Sequence, residues 1–140
     1  GTVENAILNY IIRDHDRTKF EEKKKLIATI AGFLNEKLGE KRISYEIKNQ
    51  YFNMREKIEP VIHIVTLAEK AMIKAGIPPI IMPIRGGTDG ANLSFKGLPC
   101  PNIFAGGHNF HGKYEYITLE SMEKATQVIL NIIQLSTEEN

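Results

Sequence analysis

The sequence predicts an α/β fold in two parts, a short β-α-β unit over residues 1–53 followed by an α-β-α-β-α stretch over residues 54–140. Three observations carry this prediction. Runs rich in β-branched and aromatic residues alternate with stretches whose apolar residues recur at helical spacing. Glycines and prolines stand at the changes from one to the other. Near Asn53 to Glu59 (NMREKIE) the period switches and charge density rises, which marks a boundary.

The first element is Ala6 to Asp14, AILNYIIRD, a mostly buried strand by composition. Asp16 can cap the helix that follows, whose apolar positions Phe20, Ile27, Ile30, Ala31, Leu34 and Leu38 end at Gly39; the Glu21 to Lys25 run is its solvated face. Ile43, Tyr45 and Ile47 alternate with polar residues, the period of a half-buried strand. Two strands and one helix bury too little apolar surface to offset the entropy of folding, so this unit reads as part of a larger sheet. Pro60 marks the start of a second helix, with Val61, Ile64, Val65, Ala68, Met72 and Ile73 on one face and Gly76, Pro78 and Pro79 as its stop. Ile80 to Ile84 is a short strand in which Pro83 removes a donor and suggests an edge. The Arg85 to Gly90 turn leads into a short helix around Ala91 to Phe95, and Asn102 to Ala105 is another buried strand. A loop then holds His108 and His111. The last helix starts at Thr118, carries Leu119, Met122, Ala125, Val128, Ile129, Ile132 and Ile133 on its apolar side, and frays in the STEEN tail.

Eighteen Lys+Arg against 17 Asp+Glu give a net charge of +1, which lacks the clustered basic excess expected of a nucleic-acid binder or an anionic membrane surface. No stretch approaches the roughly 18 to 20 apolar residues of a membrane span, and the opening GTVENAILNYIIRDHD lacks the pattern of a signal peptide. With Cys100 the single cysteine, no intramolecular disulfide forms, which suits a reducing, cytoplasmic setting.

Residues 83–116 hold the chemistry. Gly86 and Gly87 let backbone approach a ligand, Thr88 or Asp89 opens a helix with free N–H groups, and Arg85 beside them suits a carboxylate or phosphate. The same residues equally describe a tight capped turn. A Walker-type loop is excluded because the Lys-Ser/Thr pair is missing. His108 and His111 lie three apart on a glycine-flanked loop and Glu115 follows His111 by four, a pattern open to metal ligation or to ordinary loop histidines. Arg13 either pairs with Asp14 or Asp16 or holds an anionic group. Cys100, between Pro99 and Pro101, reads as a small packing residue.

Four stretches carry a resemblance: GTV-x5-NYIIRDHDR at the start, YFNMREK at 51–57, PIRGGTDGANLSFKGLPCPNIFAGG at 83–107 and HNFHGKYEYITLESMEKA at 108–125. On these the chain resembles the C-terminal part of the dinuclear-zinc metallopeptidases related to carboxypeptidase G and the dipeptidase PepV, in their tripeptide-aminopeptidase branch. The resemblance implies an α/β catalytic domain interrupted by a ferredoxin-like lid. Residues 1–53 would be the β-α-β second half of that lid and residues 54–140 the C-terminal α/β portion of the catalytic domain. It implies two zinc ions per complete enzyme, with His111 as the last metal ligand and a metal-activated water releasing the N-terminal residue of a tripeptide. Arg13 would grip the substrate carboxylate, and Arg85, Gly86, Gly87 and Thr88 would line the substrate site. Glu115 keeps its place in the motif; support of the site by its carboxylate is an expectation from its chemistry and not something the resemblance assigns. No catalytic residue is expected within these 140 residues, because the general base and the other ligands lie upstream in the family, so the isolated chain is expected to be inactive. Self-association through the unpaired lid half is expected, with neither nucleic acid nor membrane as partner. Two other readings remain: an anion or metabolite binder built on the Arg85 to Gly90 turn, and a di- or carboxypeptidase of the same family.

Overall fold

A computed structural model describes residues 2–84 and 86–138. Contacts divide the chain into two units, Gly1–Asn53 and Met54–Asn140.

The first unit is organised by α1 (Arg17–Leu38). Asp16 sits in extended backbone and its Oδ1 accepts the Lys19 N–H at 2.9 Å, so one of the orphan donors of the first turn is satisfied by the residue type best suited to it. Gly39, at φ 72°, closes the other end by donating to the Glu36 carbonyl. Phe52 returns to the start of the helix, edge-on to Phe20 with ring centroids 6.1 Å apart, and the Arg17 guanidinium lies 3.7 Å over its face. The Asn35 amide mimics a peptide group: its Nδ2 donates to the Ile43 carbonyl at 2.9 Å and its Oδ1 accepts the Ile43 N–H at 2.8 Å.

The second unit begins with α2 (Arg55–Ile58) and a 3₁₀ turn (Glu59–Val61), continues through α3 (His63–Lys74) and α4 (Asp89–Phe95), and ends in α5 (Leu119–Glu138). Its core lies where α3 meets α5. Ala71 and Ala75 let the two helices approach, Val128 is fully buried between them, and Met72, Ile77, Phe104, Ile132 and Leu135 pack around. Polar groups stitch the seam. Buried Asn131 donates to the Ala71 carbonyl at 3.1 Å, and Lys124 reaches the Ala75 carbonyl at the end of α3, where a cation complements the helix dipole. Helix α3 stops in a Schellman turn, with Gly76 at φ 73°, the Ile77 N–H on the Met72 carbonyl and the Gly76 N–H on that of Ile73.

Among the described residues one ladder forms, β1 (Gly107–His108) antiparallel to β2 (Tyr116–Ile117), in the segment expected to be a loop. The stretches expected as strands, 6–14, 43–48, 80–84 and 102–105, form no ladder, and the first is not buried: Ile7 is 86% exposed and Ile11 72%. The reason is physical. A strand exists through hydrogen bonds to a neighbour about 4.8 Å away, and these segments have no such neighbour among the described residues. Two boundaries also differ. The second helical region starts at Arg55 and not at Pro60, which sits inside the 3₁₀ turn where its missing N–H costs nothing. Ser136 to Glu138 continue α5 instead of fraying.

Candidate functional site

The β1–β2 hairpin presents His111 in a seven-residue loop, 109–115. Both Asn109, at φ 55°, and His111, at φ 63°, adopt the left-handed conformation. Asn tolerates this through its short polar side chain, whereas for His it costs on the order of 1–2 kcal/mol and persists only where surrounding bonds enforce it. Those bonds are present. The Gly112 N–H donates to the Asn109 carbonyl at 2.8 Å, the Glu115 N–H to that of Gly112 at 3.2 Å, and Asn109 Nδ2 to the Tyr114 carbonyl at 3.3 Å. The His111 N–H donates to Glu115 Oε2 at 2.7 Å, a short bond to an ionisable acceptor. At the base, His108 stacks on its cross-strand partner Tyr116 at 4.9 Å. His111 itself is exposed. Beside the loop, Ala105, Gly107, Phe110, Tyr116 and Ile117 line a mostly apolar hollow to which Glu115 contributes the one carboxylate.

The glycine-rich turn is held by other means. Arg85 lies outside the described residues. Thr88 caps α4, its Oγ1 accepting the Ala91 N–H at 3.2 Å and Asn102 Nδ2 at 3.1 Å. Gly86 and Gly87 are exposed, and a Cβ placed on Gly86 would meet no atom within 4 Å. The close approach is at Gly90, where a Cβ would stand 2.5 Å from the Cys100 carbonyl oxygen. Ser94 completes this strap: its buried hydroxyl donates to the Gly90 carbonyl and accepts the Cys100 N–H. Gly90 and Ser94 were not legible as anchors, because a Thr-Asp-Gly helix start does not reveal the segment that crosses it.

Arg13 belongs to the first unit and is exposed. Beside it, Asp14 pairs with Lys23 at 2.7 Å and Asp16 caps α1. The Lys23 ammonium, hydrogen-bonded to Asp14, holds that carboxyl below its ordinary pKa, with the Asp16 N–H adding to the effect. Lys23 also donates to the Arg13 carbonyl at 3.0 Å, which fixes the backbone at this position. Within the second unit no described hydrogen bond joins Thr88 to His111; the first is tied to Asn102 and the second to Glu115.

A model described as peptidase family M20/M25/M40 matches residues 7–135. The chain belongs to that family. It is similar to a protein named peptidase T from Alkaliphilus oremlandii, 65% identical over 135 residues, which are 96% of this chain and 33% of the relative. It is also similar to proteins of that name from Lysinibacillus sphaericus, at 59% identity with the same coverage, and from Clostridium perfringens, at 58% over 99% of this chain and 34% of the relative. The chain therefore spans about a third of the length of the curated relatives it matches. Peptidases of the M20 family are generally metal-dependent. The described residues contain no group of three or more His, Cys, Asp or Glu side chains able to hold an ion, so they do not make up a whole metal site by themselves. No described helix is long and apolar enough to cross a membrane.

Proposed function

We infer that the chain is the C-terminal portion of a zinc-dependent tripeptide aminopeptidase, with residues 1–53 as half of a ferredoxin-like lid and residues 54–140 as the end of the catalytic domain. The observation that carries this reading is the hairpin loop. An exposed histidine is held there in left-handed backbone, its main-chain N–H on Glu115, inside a chain that belongs to a metal-dependent peptidase family. His111 supplies one ligand, and the other ligands and the general base come from the remainder of the enzyme. The chemistry zinc supplies when bound is Lewis-acid polarisation of the scissile carbonyl and acidification of water. The residues of this chain do the positioning. Arg13 and Arg85 take the carboxylate end of the peptide, and Gly86, Gly87 and Thr88 give it an open, side-chain-poor wall. The single cysteine suits a cytoplasmic setting. The isolated chain, with one ligand and no general base, is inactive on this reading.

The test is zinc-dependent hydrolysis of a simple tripeptide by the complete enzyme and by its His111→Ala variant. A loss of roughly a hundredfold or more in kcat/KM, with zinc released from the variant, is expected for removal of a metal ligand. Activity and zinc content unchanged in the variant would overturn the assignment of His111, and a complete wild-type protein that cleaves no peptide with any divalent metal would overturn the activity.

A further inference from the structure

We propose that Glu115 is a positioning residue for His111, acting through the main chain: by accepting the His111 N–H it keeps His111 left-handed and thereby fixes where the imidazole can reach. The proposal rests on the reading of His111 as a metal ligand and deepens it.

Three bonds fold the 109–115 loop, but none of them uses the amide of His111. They set the neighbours, Asn109, Gly112, Tyr114 and Glu115. The bond to Glu115 Oε2, at 2.7 Å, is the one that grips residue 111 itself. Without it, an L-residue in a solvated loop returns to right-handed or extended backbone, and its Cα–Cβ bond then points elsewhere. Glu115 is suited to the task by where it stands. It precedes β2 directly, so its main chain is anchored by the hairpin register at Tyr116, and it lines the same hollow as Phe110, Tyr116 and Ile117.

The substitution that separates the roles is Glu115→Gln, because glutamine keeps an acceptor oxygen at the same reach and loses the charge and the strong ligating character. In the complete zinc-loaded enzyme, zinc affinity is measured by competition with a chromophoric chelator, together with kcat and KM for a tripeptide and the circular dichroism of each variant. Glu115→Ala is expected to weaken zinc binding about 10- to 100-fold and to lower kcat while KM stays within about twofold, whereas Glu115→Gln stays within about threefold of wild type throughout. Zinc affinity of Glu115→Ala within about twofold of wild type, alongside a large loss in His111→Ala, would overturn the positioning role and leave the ligand assignment standing. Glu115→Gln falling as far as Glu115→Ala would overturn it too, since the clip survives in that variant. If His111→Ala also retained zinc, both readings would fall together.

Discussion

Asn131→Asp changes the seam between α3 and α5 at a point where the consequence is set by pH. Asn131 is 3% exposed, donates through Nδ2 to the Ala71 carbonyl and accepts the Gln127 amide at 3.0 Å. Aspartate replaces the donor by an oxygen that faces another oxygen. It can satisfy Ala71 by keeping its proton, so burial and the carbonyl both raise its pKa above the unfolded value of about 3.9. A rise of the size common for a fully buried carboxyl costs roughly 3–4 kcal/mol at neutral pH. The sign follows from proton binding. The folded variant holds its proton more tightly than the unfolded chain, so the deficit relative to wild type is absent below about pH 4, grows as pH rises and levels off above the folded pKa. Between pH 5 and pH 8 the variant should lose about 2 kcal/mol relative to wild type in equilibrium urea unfolding of the complete protein. Asn131→Leu is the control: the Ala71 carbonyl keeps its helical partner, the Ala75 N–H at 3.1 Å, so the loss is about 1 kcal/mol and independent of pH. An Asn131→Asp variant whose deficit is the same at pH 5 and pH 8 would show that the site is wet or the seam open, and would refute the packing argument.

Gly106→Ala meets two obstacles at once, a backbone at φ 82° and a new Cβ 2.6 Å from that of Ser121; a loss of about 2 kcal/mol or more is expected by thermal unfolding, and a melting point equal to wild type would refute the contact between this turn and the start of α5. Lys23→Met should let the Asp14 carboxyl titrate nearer its ordinary value, followed by NMR. Because the folded pKa of Asp14 is depressed, the pair contributes above the ordinary carboxylate pKa and is lost as pH falls through the folded value, so the wild type should shed stability relative to Lys23→Met in that acid window.

Helices were legible because their signals are local. Asp16, Gly39, Gly76, Thr88 and Thr118 act on residues three or four positions away, and each stands at or next to a helix end in the structure. Strands were legible as apolar runs but not as ladders, since pairing depends on residues remote in sequence. The β1–β2 hairpin escaped notice for the opposite reason: Gly107-His108 and Tyr116-Ile117 are too short to show alternation. Of the candidate site, the residue types were readable in His111 and Glu115 at i and i+4, while the left-handed backbone at His111 was not, because the modest enrichment of histidine at positive φ is too weak to single out one position.

The unpaired runs bear on what kind of object this chain is. Two separate folded bodies of about 50 and 90 residues would expose about 8,800 Å² together, however they were arranged, whereas the chain exposes 11,428 Å². The excess, about 2,600 Å², is of the size buried in obligate interfaces. Its character matters as much as its area. Ile7, Leu8, Tyr10 and Ile11 in one unit and Ile80, Ile81 and Met82 in the other, all about 70% exposed or more, lie in segments whose composition suits burial in a sheet. Solvated apolar runs with open N–H and C=O groups are an aggregation hazard that folded proteins cover. A surface that paired these segments as strands would satisfy backbone and apolar groups together. The His111 hairpin differs in kind. Its strain is held by bonds within its own loop, so its shape needs no covering surface.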